Sequence, residues 1–197
     1  GFNGGSALGA NGDAAMAMLV THISAAAGSL AWMAMEWKKF GKPSALGIAT
    51  GMVAGLGTIT PASGFVSPAA ALVIGLSAGV ICFYMVSSVK PKLKIDDSLD
   101  VFPVHGIGGI LGTLLAGVFA STELGLFSGY GFAKPEYTML DQLGVQALGV
   151  VATFVYTALV TWVLLKLIGL FAPLRVTGDE ETQGLDIALH EERGYDL

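Results

Sequence analysis

Apolar residues run along this chain in blocks far longer than the alternation of a strand or the one-sided stripe of a surface helix. Ala14 to Met35 contains no Asp, Glu, Lys or Arg, and a helix that crosses a bilayer requires about 20 such residues. Between Lys42 and Lys90 lies an uncharged stretch that as one helix would run roughly 70 Å. That is about twice a bilayer core of roughly 30 Å, so the stretch must fold back. Pro61 and Pro68, with Ser63 and Gly64 between them, supply the break. The pattern predicts spans at 14–36, 44–61, 67–89, 101–121 and 143–170. Residues 1–172 then form a transmembrane helical domain, and 173–197 a tail.

The charges that remain fix an orientation. The loop after the first span carries Lys38, Lys39 and Lys42, and the loop after the third carries Lys90, Lys92 and Lys94. The turn at 62–66 has no Lys or Arg, and the segment 122–138 has only Lys134. Excess Lys and Arg mark cytoplasmic loops, so both lysine-rich loops and the tail are expected in the cytoplasm. Trp37, Tyr130 and Tyr137 sit where interfacial aromatics belong, and Lys166 can snorkel from the fifth span.

Composition agrees with a bilayer as solvent. The chain of 197 residues is 53% hydrophobic and 13% charged, with a mean hydropathy of +0.69, against roughly a quarter charged in soluble domains. The 28 glycines suit close helix packing in membranes. The net charge of −5 comes mostly from the last twenty residues, and no basic field exists to attract nucleic acid. The single Cys82 excludes a disulfide framework or a cysteine metal site within one chain. No cofactor or metal site is expected. Gly1 is not Met and no signal peptide precedes the first span, so the chain reads as a C-terminal piece whose first residues end a further span.

Two histidines lie inside the spans. His105 stands in Asp100-Val-Phe-Pro-Val-His-Gly-Ile-Gly-Gly, and glycines at 106, 108, 109 and 112 leave much of that helix bare. Two readings stand: a small-residue packing face with the imidazole bonded to a neighbour, or an imidazole held beside a narrow pore. Burial disfavours imidazolium, so a neutral ring with one donor and one acceptor nitrogen is expected. His22 reads first as a packing histidine and second as a pore group. Asp13 is expected to N-cap the first span. Phe2 and Ser6 are four residues apart, either an interfacial aromatic with a helix-end hydroxyl or a cation site. The acidic tail reads as solvated, with Asp186 and His190 able to meet if a helical turn forms.

Taken together, Gly1-Phe-Asn-Gly-Gly-Ser6, Gly57-Thr-Ile-Thr-Pro-Ala-Ser-Gly64, Asp97-Ser-Leu-Asp-Val-Phe-Pro-Val-His-Gly-Ile-Gly-Gly109, and Gly184-Leu-Asp186 with His190 and Tyr195 resemble consecutive landmarks of bacterial ammonium transporters of the Amt/Mep/Rh family. The resemblance covers essentially the whole chain, and the Asp-Val-Phe-x-Val-His-Gly block is its most specific part. It implies an all-α polytopic membrane protein, here five full transmembrane helices plus the end of a sixth, half of an inverted-repeat helical bundle. It further implies a homotrimer in the bacterial cytoplasmic membrane with one ammonium or ammonia pore per subunit. Phe2 then matches the inner gate phenylalanine, Ser6 the recruitment hydroxyl, and His105 the second of twin pore histidines. Gly184, Asp186, His190 and Tyr195 match tail positions that dock a PII-type signalling protein. Pro103 departs from the glycine usual in that family, which puts the local backbone in question. An ammonium sensor signalling through its tail is the competing reading. A proton pump would need buried carboxylates or cofactor ligands that spans two to five lack, and a hydrolase or kinase has no nucleophile or phosphate loop here.

Overall fold

A computed structural model describes residues 1–194, and all regular elements among them are helical. In chain order, α1 is Phe2–Gly5, α2 Gly12–Phe40, α3 Ala45–Ile59 and α4 Pro68–Tyr84. A π-turn at Met85–Val89 continues α4 into α5, Lys90–Leu93. A second π-turn, Phe102–Gly106, opens α6, Ile107–Phe119, and α7 is Met139–Ile168. The tail forms α8, Gly178–Gln183, and α9, Leu185–His190. The chain divides into two units, one through Val150 and one from Val151 on. Tyr195 lies outside the described residues.

Among the described residues four stretches are long and apolar enough to cross a bilayer: Gly12–Phe40, Pro68–Leu93, Phe102–Phe119 and Met139–Ile168. Helix α3 is shorter, at 15 residues or about 22 Å of rise, because Pro61 lacks the N–H an α-helix would use next and residues 60–65 turn instead.

Local signals set the starts. Ser44 and Ser67 N-cap α3 and α4, each accepting an N–H three residues on. At α2 the expectation needs correction: Asn11, not Asp13, is the N-cap, its side chain accepting the Ala14 N–H at 3.0 Å. Asp13 sits inside the first turn, where its charge still faces the positive end of the helix dipole. At the other end Gly41 takes φ +79, the left-handed C-cap a side chain would strain.

The first unit is held by small residues. Helices α2, α3 and α4 approach so closely that a Cβ on Gly28 would strike the Gly51 carbonyl, and one on Gly79 would lie 2.6 Å from the Gly28 oxygen. Without a hydrophobic drive between helices in lipid, such backbone approach carries the packing. Ser24, fully buried, adds a hydrogen bond to the Gly55 carbonyl at 2.9 Å. Val20, Ile59, Val66 and Ile74 fill one cluster. Trp32 and Phe83 fill another, with their rings edge to face at 5.4 Å.

The loops gather as the lysine pattern requires. Lys39 Nζ donates to the Ser87 carbonyl at 3.0 Å and to Ser88 Oγ at 3.2 Å, so both lysine-rich loops share one end. At the opposite end the Tyr130 N–H donates to the Phe65 carbonyl at 3.1 Å, joining the 60–66 turn to the 122–138 segment.

Candidate functional site

The π-turn that carries His105 is built from its flanks. Asp97 accepts the Val101 N–H at 3.0 Å and the Phe102 N–H at 2.8 Å, capping the helix start. Lys90 donates to the Asp97 carbonyl at 2.9 Å and pairs with Asp100. The Phe102 N–H, then the Val101 N–H and the Lys90 charge, hold the Asp97 carboxyl below the usual carboxylate range. Pro103 falls in the first turn, where a missing N–H is tolerated, so its presence here leaves the helix start intact. The turn closes with a bond from the Ile107 N–H to the Phe102 carbonyl, one residue wider than an α-turn. Such single π-turns recur at functional sites.

This geometry leaves His105 exposed on the present chain, with no hydrogen-bond partner among the described residues. A Cβ on Gly57 of α3 would lie 3.9 Å from its Nδ1, and one on Gly109 would meet nothing within 4 Å. Both ring nitrogens are therefore left to a ligand, a water or another polar group. Among the described residues no neighbouring helix bonds the imidazole. Behind the ring the helix is tightly wedged. Val104 is buried, the Cys82 thiol faces its carbonyl at 3.9 Å, and a Cβ on Gly112 would collide with the Thr58 carbonyl.

A polar group of sites lies at the other end of the unit. Phe2 is 86% exposed. Ser6 ends α1, and its hydroxyl donates to the Phe2 carbonyl at 2.9 Å. Its lone pairs thus stay open to an N–H donor. Between these residues Asn3 Nδ2 donates to Thr21 Oγ1 at 3.0 Å and Thr60 Oγ1 at 3.4 Å, tying α1 to α2 and α3. Both hydroxyls already donate to carbonyls four residues back, so they can only accept. In the sequence Asn3 and Thr60 stand only as members of the motifs quoted above, with no role attached, whereas Thr21 carries a signal of its own as a hydroxyl inside an apolar span. His22 is exposed, its Nδ1 3.3 Å from the Met18 carbonyl, so burial within this bundle does not account for it.

The tail carries more helix than its acidity suggested. Thr177 and Glu180 form a reciprocal capping box, and Arg175 pairs with Glu181 at 3.1 Å. Gly184 takes φ +95 between α8 and α9, a conformation open to glycine. Helix α9 places Asp186 and His190 one turn apart; no hydrogen bond joins them among the described residues. No cluster of His, Cys, Asp and Glu able to hold a metal occurs among the described residues.

Comparison with known proteins supplies the frame for these sites. A family model described as the Ammonium Transporter Family matches residues 1–195. A relative from Methanothermobacter thermautotrophicus, described as a putative ammonium transporter, is 51% identical over all of this chain and 48% of its own length. An ammonium transporter of Aquifex aeolicus is 46% identical over all of this chain and 45% of its own. Among solved structures, one described as a sensor Amt protein superposes with a TM-score of 0.84 at 32% identity, covering 95% of this chain and 45% of that one. The chain spans about half the length of the curated relatives it matches.

Proposed function

The chain belongs to the ammonium transporter family of multi-pass membrane proteins, and from that premise we propose that the protein moves ammonium nitrogen across a membrane past His105. The observation that carries this reading is His105 itself: an imidazole inside an apolar span, both nitrogens unpartnered among the described residues, beside bare Gly57 and Gly109.

Energetics select the species that passes. A bare monovalent cation in a low-dielectric path meets an idealised penalty of order 20 kcal/mol, which a lone imidazole and apolar walls do not offset. Neutral ammonia meets no such barrier, and the ring can accept its N–H or donate to its lone pair. In this reading ammonium is recruited at Ser6, whose oxygen accepts an N–H, and near Phe2, whose ring face attracts a cation, it gives its proton to water on the outer side, where the proton stays. Ammonia then continues along His105. The protein is a homotrimer in the bacterial cytoplasmic membrane, with its C-terminal tail in the cytoplasm on the lysine-rich side. Gly184, Asp186, His190 and Tyr195 present the tail to a PII-type signalling protein. No covalent chemistry on the substrate is involved beyond the proton transfer, so the reading is not that of an enzyme.

A second reading has its own support in the likeness to a structure described as a sensor Amt protein. There the same path would report ammonium to the tail with negligible flux. An internal pH dye in proteoliposomes of the intact protein separates the two. An ammonium gradient should raise internal pH faster than in empty liposomes. A rate equal to empty liposomes, with ammonium-dependent PII binding retained, would reject transport in favour of sensing.

A further inference from the structure

Away from His105, a notch of about 220 Å³ opens between the 60–66 turn, α6 and the start of α7. Its lining includes Ala116 of α6 and Ala120 at that helix's C-cap, with Phe65 and Phe132. Gln142 and Gln146, one turn apart on α7, line the remaining side. Gln142 is buried, at 7% exposure. Its Oε1 accepts the Ala133 N–H at 3.4 Å, while its Nε2 makes no hydrogen bond among the described residues. Thr58 Oγ1, not this nitrogen, is the fully enclosed polar atom left without a bond among the described residues, so the Nε2 donors of an otherwise buried side chain keep access to the notch that Gln142 lines and stand ready for an acceptor there.

We propose that this notch holds the glycerol-ester end of one acyl chain of a membrane lipid, with Gln142 Nε2 donating to the ester carbonyl. Three features fix that occupant. The volume falls below the roughly 300 Å³ at which drug-sized ligand pockets begin, yet suits a single chain end. The lining is apolar except for two amides, so the ligand must be apolar with a neutral acceptor rather than charged. The notch also lies at interface level. Tyr130 is exposed beside it, Lys134 stacks over Tyr137 at 5.2 Å, and Leu140, Val145 and Leu148 of α7 face outward nearby. Aromatic and cationic anchors of this kind mark the headgroup zone, where ester carbonyls lie.

The test is native mass spectrometry of the intact, delipidated protein titrated with a diester phosphatidylcholine and with its diether analogue of identical chains. One binding event per subunit should favour the diester. Gln142→Glu keeps an acceptor for the Ala133 N–H and, titrated at a pH high enough to ionise the carboxyl, loses the donor. It should weaken diester binding roughly five- to ten-fold, the value of one hydrogen bond, and erase the ester preference. Ala120→Leu fills the notch and should remove the event. If Ala120→Leu does not fold, the Gln142→Glu titration decides alone. Equal affinity for diester and diether in the unsubstituted protein would overturn the proposal, as would unchanged ester preference in Gln142→Glu.

Discussion

Thr58 is fully buried, and its Oγ1 has no hydrogen-bond partner among the described residues. It faces Gly108, on the helix that presents His105, so closely that a Cβ there would lie 2.8 Å away. An unsatisfied buried hydroxyl costs about 1–3 kcal/mol. Thr58→Val should therefore leave stability unchanged or raise it by about 1 kcal/mol, seen as an equal or higher unfolding midpoint in detergent. Gly112→Ala acts in the opposite sense. Its methyl would run into the Thr58 backbone, and overpacking of that kind costs typically 1–3 kcal/mol. The midpoint should fall, with the loss larger than for an alanine at Gly109, where nothing stands within 4 Å. The same scale separates the two histidines. His105 projects beside glycine and finds no partner among the described residues, whereas His22 leans on the Met18 carbonyl of its own helix.

At the scale of elements, the two π-turns have distinct causes. Pro91 crowds the carbonyl four residues before it, which is Ser87, and that carbonyl is the one Lys39 takes. The Phe102–Gly106 turn instead follows the Asp97 cap. Because the folded Asp97 pKa lies below its unfolded value near 3.9, its stabilising contribution is complete above that value. It is lost as pH falls through the folded one. Acid titration of helicity should therefore show a limb below about pH 4 that Asp97→Asn removes, with lower stability at neutral pH. Much at this scale was legible in sequence. Charge-free runs place the helices, and the Ser44 and Ser67 caps stand where such residues belong. What was hidden had no periodic signature. An Asn two residues before Asp13 captured the N-cap, the first π-turn depends on which carbonyl Pro91 displaces, and the second on which N–H groups Asp97 captures. Asn3, Thr21 and Thr60 are far apart in the chain and meet only once α1, α2 and α3 pack.

For the whole molecule, the lysine pattern and the fold agree on which loops share an end, through Lys39 with Ser87 and Tyr130 with Phe65. Sidedness and flux depend on the intact protein, since this chain spans about half its relatives' length. The central claim is that His105 lines a path selective for ammonium nitrogen. Solid-supported membrane electrophysiology on proteoliposomes of the intact protein, with ammonium and potassium pulses in parallel, tests it most directly. Ammonium should evoke a response and potassium none, with His105→Ala losing the response or the discrimination. Unchanged ammonium response and unchanged exclusion of potassium in His105→Ala would contradict it.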